Sequence, residues 1–117
     1  MIVSVIGLGL IGGSMAIDLK RRGFADTILG VENDPVNAAA AEKMGLADEI
    51  VSFEESISRA DIIVISVPVG TAVRMLPQIL DQFQKEGANN KIVIDTCSTK
   101  SQIVRCVHYH PYRSRYV

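Results

Sequence analysis

Cysteine is scarce: Cys97 and Cys106 are the only two in 117 residues, and they form no CxxC pair. That argues against a disulfide framework and agrees with a reducing compartment. Charge of neither sign prevails, because 12 basic and 13 acidic side chains leave a net charge of −1. No global field therefore favours nucleic acid. Long apolar runs are also missing. The run that opens the chain, Met1 to Ile6, is far too short to span a bilayer, and it has neither the basic start nor the small-residue cleavage site of a signal peptide. The expected setting is the cytoplasm, with neither a membrane nor a nucleic acid as partner. No internal repeat or low-complexity tract occurs beyond the alanine run from Ala38 to Ala41.

What is present is an ordinary globular composition, 48% hydrophobic and 21% charged, at a length that suits one domain. Its most informative stretch is Val5-Ile-Gly7-Leu-Gly9-Leu-Ile-Gly12-Gly13. Gly7, Gly9 and Gly12 have the spacing G-x-G-x-x-G, after a strand pattern and before a helical one. A strand ending at Gly7 needs a tight turn, Gly9 lets the backbone approach a pyrophosphate, and Gly12 lets the new helix pack close to the strand. The first turn of that helix, from Leu10 and Ile11 to Gly12, offers unpaired N–H groups and a positive dipole end to phosphates. Ile11, Met15 and Leu19 recur on one helical face, and Gly23 stops the helix. Thr27 to Val31 reads as a second strand, followed by Glu32-Asn33-Asp34-Pro35. Glu32 lies 20 residues after Gly12, where an acid hydrogen-bonds the adenosine ribose of a dinucleotide, with Asn33 beside it. Its charge repels a 2′-phosphate, and no Arg or Lys follows through Asn37. NAD is therefore favoured over NADP.

Strand and helix patterns then alternate. Asp34 caps and Pro35 opens a helix to Met44, which Gly45 ends. Ala47 to Val51 reads as a short third strand and Phe53 to Ser58 as a short helix. Ala60 to Pro68 is a nearly unbroken apolar run, as a strand buried on both faces requires. It closes with Ser66, Val67 and Pro68, at the strand end where open α/β sheets bind ligands, so these three are candidate walls of the nicotinamide half of the site. Thr71 to Lys85 is a helix with Val73, Leu76, Leu80 and Phe83 along one stripe, and Pro77 should kink or interrupt it. Gly87 to Asn90 makes a turn and Lys91 to Asp95 a fifth strand; Ser98 or Thr99 caps a helix reaching about Val107. Arg115 to Val117 can begin a sixth. These patterns predict an α/β fold over residues 1–117: a doubly wound parallel-sheet Rossmann domain, strand order 3-2-1-4-5, with a possible partial sixth strand.

Gly7-Leu-Gly-Leu-Ile-Gly-Gly-Ser14, Leu19-Lys-Arg-Arg-Gly23, Ile65-Ser-Val-Pro-Val69 and Asp95-Thr-Cys-Ser-Thr-Lys100 together resemble the N-terminal domain of prephenate dehydrogenases. The resemblance implies an NAD-dependent homodimeric enzyme of tyrosine biosynthesis, which oxidatively decarboxylates the small molecule prephenate to 4-hydroxyphenylpyruvate. It also implies that Ser98 is the active-site serine, a hydrogen-bonding partner of the substrate hydroxyl and of a catalytic histidine. The family's histidine stands in a G/S-H-P motif that has no match here, and its helical C-terminal domain has none either. The chain is accordingly expected to be a nucleotide-binding fragment, inactive alone. His108 and His110 precede Pro111 in a connecting loop and read as surface residues rather than catalytic or metal-binding ones. Cys97 stands where the family has glycine and reads as packed rather than as a low-pKa thiol. Arg105, Arg113 and Arg115 read as a solvated basic end. Arogenate dehydrogenase, another two-domain hydroxyacid or imine dehydrogenase, and a non-catalytic NAD-sensing module remain as alternatives.

Overall fold

The structure, a computed structural model, describes every residue except Asn89, Ser98 and Thr99. Five parallel strands, β1 (Ile2–Ile6), β2 (Thr27–Val31), β3 (Glu49–Ile50), β4 (Ile62–Ile65) and β5 (Ile92–Asp95), pair in the order β3-β2-β1-β4-β5. The expected order holds. Central β1 pairs with β2 from Ile2↔Thr27 to Ile6↔Val31 and with β4 from Val3↔Ile62 to Ile6↔Ile65. The strand order reverses between β1 and β4, so a crevice opens beside Gly7 and Ser66.

Helices α1 (Leu10–Arg21), α2 (Pro35–Met44), α3 (Phe53–Arg59), α4 (Val69–Glu86) and α5 (Ser101–Cys106) complete the crossovers. The two-residue period of the strands sorts the core by face. Val3, Val5 and Val64 pack with Ala16 of α1 and Ala41 of α2. Ile6, Ile63, Ile65 and Val93 pack on the other face, with Leu76, Ile79, Leu80 and Phe83 of α4 and Ile103 of α5. Burial on both faces explains why β1 and β4 are almost wholly apolar. Ser4 is the exception, fully buried with no partner for its hydroxyl among the described residues.

The helix signals hold at α2, where Asp34 Oδ1 accepts the Val36 N–H at 2.9 Å, Pro35 opens the helix and Gly45 closes it at φ 70°. Elsewhere the structure differs from expectation. α1 buries Gly12, Gly13 and Ala16, whereas Ile11 is 60% exposed; the helix lies so near the sheet that only small side chains fit beneath it. Met15 and Leu19 flank that contact. α4 starts at Val69 and continues through Pro77 to Glu86. Burial of Ala72, Leu76, Ile79, Leu80 and Phe83 outweighs the hydrogen bond that Pro77 cannot donate to the preceding turn. β3 shrinks to two residues. α5 begins at Ser101, and the expected capping by Ser98 or Thr99 falls outside the described residues. After a 3-10 turn at Arg113–Arg115, Tyr116 makes a single parallel bridge to Val93, and the Val117 N–H donates to Val93 O at 3.0 Å. Of the expected partial sixth strand only this bridge forms, and Arg115 belongs to the 3-10 turn. No helix among the described residues is long and apolar enough to cross a membrane.

Candidate functional site

β1 delivers the chain to Gly7, whose φ is +95°, and a Cβ there would lie 2.3 Å from Ser66 O. Both conformation and space demand glycine. At Gly12 a Cβ would lie 2.0 Å from Gly7 O, so the start of α1 can approach β1 only without a side chain. Gly9 is different. Its backbone is extended, with φ −75° and ψ −160°, and among the described residues nothing stands within 4 Å of where a Cβ would be. No contact among the described residues requires glycine there, whereas a ligand lying against the backbone would.

The surroundings of Gly9 favour an anion. It is the N-cap of α1, whose first turn carries no acidic residue and receives no side-chain cap among the described residues. Leu10 and Ile11 are 88% and 60% exposed. Their positions leave the first amides of the helix beside open space, where the dipole and the unpaired N–H groups attract negative charge.

Glu32 follows β2 and is partly buried. Its Oε1 accepts the Leu8 N–H at 3.0 Å and its Oε2 the Asp34 N–H at 3.3 Å, so one carboxylate ties the glycine turn to the loop after β2. The remaining lone pairs stay available to hydroxyl donors. Gly7, Glu32, Asn33 and Val67 come together around one cavity of about 200 Å³, completed by Phe53 and by Thr71, Met75 and Gln78 of α4. Sequence reasoning missed this contribution of α4, because its residues face the site only once the helix has packed. Ser66 lies at the end of β4, its N–H donating to Ile6 O at 2.8 Å. Pro68 is exposed and stands at the N-cap of α4. Ser98 lies outside the described residues.

At the end of β5 the Asp95 carboxylate is fully buried. Oδ1 accepts the Cys97 N–H at 2.9 Å and the Lys100 ammonium; Oδ2 accepts the Tyr116 hydroxyl at 2.5 Å. Burial alone would push its pKa up, but Lys100, Tyr116 and the Cys97 amide together hold it below the usual carboxylate range. Burial and the contact with Asp95 push the Tyr116 phenol up. The Cys97 thiol is pushed up as well, by burial and by the Asp95 charge, in keeping with a packed rather than a reactive cysteine.

The tail is more ordered than a solvated loop. His110, its side chain only 12% exposed, lies with Nε2 2.7 Å from Asp81 Oδ1 and accepts the Tyr112 N–H on Nδ1 at 3.0 Å. That acceptor role leaves Nε2 as the protonated nitrogen that donates to Asp81, which ties the tail to α4. The Arg113 guanidinium lies 5.2 Å from the Tyr116 ring centre. His108 and Tyr109 are exposed, as expected for a surface loop. Among the described residues no group of three His, Cys, Asp or Glu side chains could hold a metal ion.

Comparison with known proteins adds to this geometry. Residues 15–117 match the family described as "Prephenate dehydrogenase, nucleotide-binding domain". The matched span starts after the glycine turn, so the two observations are independent. The chain is 36% identical over 102 residues to the prephenate dehydrogenase of Lactococcus lactis subsp. cremoris (strain MG1363), covering 87% of this chain and 28% of that protein. Among solved structures it resembles prephenate dehydrogenase from A. aeolicus in complex with hydroxyphenyl propionate and NAD+, with TM-score 0.77 and 25% identity over 99% of this chain and 40% of that one. It also resembles Synechocystis arogenate dehydrogenase, with TM-score 0.74 and 27% identity over 91% of this chain and 37% of that one. The chain spans just over a quarter of the length of the curated relatives it matches.

Proposed function

This chain belongs to the family of prephenate dehydrogenase nucleotide-binding domains, and on that premise we propose that residues 1–117 bind NAD in the service of the oxidative decarboxylation of prephenate to 4-hydroxyphenylpyruvate. One observation carries the binding half: Gly9 has open space above it that no contact among the described residues explains. In this reading the pyrophosphate lies against Gly9 and the amides of Leu10, Ile11 and Gly12, and Glu32 with Asn33 receives the adenosine ribose. Ser66, Val67 and Pro68 border the nicotinamide half. The absence of Arg and Lys from Asn33 to Asn37 supports NAD over NADP.

NAD, when bound, supplies the hydride acceptor. Ser98, by its match to the family's serine, is the proposed hydrogen-bonding partner of the substrate's ring hydroxyl. No residue of the chain matches the family's histidine, so these 117 residues are expected to bind NAD with little or no turnover of prephenate. Likeness to an arogenate dehydrogenase favours arogenate as a second substrate reading. A homodimer in the cytoplasm belongs to the same proposal; the two free cysteines support the reducing compartment.

Calorimetric titration tests the binding half. NAD is expected to bind more tightly than NADP, and Glu32→Ala to weaken NAD by about 1–2 kcal/mol through lost hydrogen bonds. Tighter binding of NADP would overturn the role of Glu32, and binding of neither would overturn the site.

A further inference from the structure

The nucleotide site has a second polar feature, on the opposite face of the sheet from the Glu32 cavity. Alternation along β4 puts Ile63 and Ile65 under α4 and Val64 on the α1 side. Ser66, the next residue, therefore points to the α1 side, and a Cβ on Gly12 would lie 3.1 Å from its Oγ. β5 runs in register, with Ile65 opposite Asp95, and the Thr96 N–H extends the ladder by donating to Ile65 O at 3.0 Å. Thr96 thus stands beside Ser66, one step beyond the last strand pair. Their hydroxyl oxygens are 3.4 Å apart, and Thr96 Oγ1 is likewise 3.4 Å from Ile65 O. Hydroxyl pairs bond best near ~2.8 Å, so among the described residues both groups keep unused hydrogen-bonding capacity while partly buried at the ends of β4 and β5.

A dinucleotide with its ribose at Glu32 and its pyrophosphate at the glycine turn would lie across the carboxyl ends of the strands, and its other end would reach β4 and β5, which these hydroxyls follow. We propose that Thr96 is a cofactor-contacting residue which, with Ser66, forms a hydroxyl pair for the nicotinamide carboxamide of NAD, and that Asp95 and Tyr116 are positioning residues that hold it in place. The carboxamide carries one acceptor and two donor hydrogens, and each hydroxyl both donates and accepts. Asp95 fixes the backbone on both sides of Thr96, since its carboxylate accepts the Cys97 amide and is itself anchored by Lys100 and the buried Tyr116. This inference rests on the NAD reading above.

Paired titrations of the 117-residue chain with NAD and with ADP-ribose, which has no nicotinamide, test it. The unmodified chain is expected to bind NAD more tightly than ADP-ribose. Thr96→Val keeps the shape and removes the hydroxyl; it is expected to weaken NAD about fivefold, the worth of one neutral hydrogen bond, and to leave ADP-ribose unchanged. Thr96→Ser should restore the preference. Tyr116→Phe should reduce the same preference by a smaller factor, whereas a merely structural role would weaken both ligands alike. Equal binding of NAD and ADP-ribose by the unmodified chain, or equal effects of Thr96→Val on the two, overturns the contact. An unmoved ratio in Tyr116→Phe overturns the positioning role. If neither ligand binds the unmodified chain, the NAD site itself fails, a result distinct from the others.

Discussion

At the scale of single residues, Gly9 and Gly12 belong to one motif but answer to different constraints. A methyl at Gly12 meets the Gly7 carbonyl, backbone that cannot yield, whereas a methyl at Gly9 meets nothing among the described residues. Gly12→Ala is therefore expected to cost about 3 kcal/mol or more of stability. Gly9→Ala should leave stability within about 0.5 kcal/mol yet weaken NAD roughly tenfold or more, because the methyl fills the pyrophosphate's line of approach. Thermal unfolding and calorimetry separate the two; a Gly9→Ala chain that binds NAD normally would remove the pyrophosphate from that position. These glycines and Glu32 were legible in the sequence because their chemistry is encoded in short, fixed spacings. The Asp95–Tyr116 contact was not, since its partners stand 21 residues apart and no local pattern links them.

At the scale of elements, patterns that span a whole turn or strand were legible, and those decided by tertiary packing were not. Asp34, Pro35 and Gly45 marked α2 at both ends because capping is local. Ile11, Met15 and Leu19 marked α1 as a helix but did not reveal its most buried residues, Gly12, Gly13 and Ala16, because close approach to the sheet selects for the absence of side chains and hydrophobic periodicity does not register glycine. Pro77 was expected to kink or interrupt the helix, and α4 runs through it without interruption on the strength of its buried stripe. That residue therefore holds a destabilising feature in place. Pro77→Ala supplies an N–H for the open carbonyl of Val73 and removes the ring's clash, against a smaller entropic gain for the unfolded chain. The net expectation is a gain of about 1–2 kcal/mol, read as a raised Tm. A lowered Tm would show that α4 is already bent to suit its proline.

At the scale of the whole molecule, the strand order follows from β-α alternation and right-handed crossovers, which is why it is legible in the sequence. What joins the sheet's far ends is charge and burial, and this shapes the response to pH. Lys20 and the Ile28 amide hold the Asp48 carboxyl below its usual range, and Asp95 is held low against the opposing effect of its burial. A carboxyl with a depressed folded pKa contributes stability that is complete above its unfolded value, about 4, and disappears as pH falls through the folded value. Cys97, Cys106 and Tyr116 behave in the opposite sense. Burial raises each pKa, so their contribution is complete below the unfolded values, about 8.5 for the thiols and 10 for the phenol, and is lost as pH rises beyond them. Tm is therefore expected to form a plateau between about pH 5 and 8 and to fall on both sides. Asp95→Asn keeps the shape but cannot ionise, so its plateau should lie lower and its acid limb should be shallower than that of the unmodified chain. Parallel limbs in the two proteins would mean that Asp95 binds the same number of protons folded and unfolded, and the network joining β5, Lys100 and Tyr116 would then owe nothing to its charge.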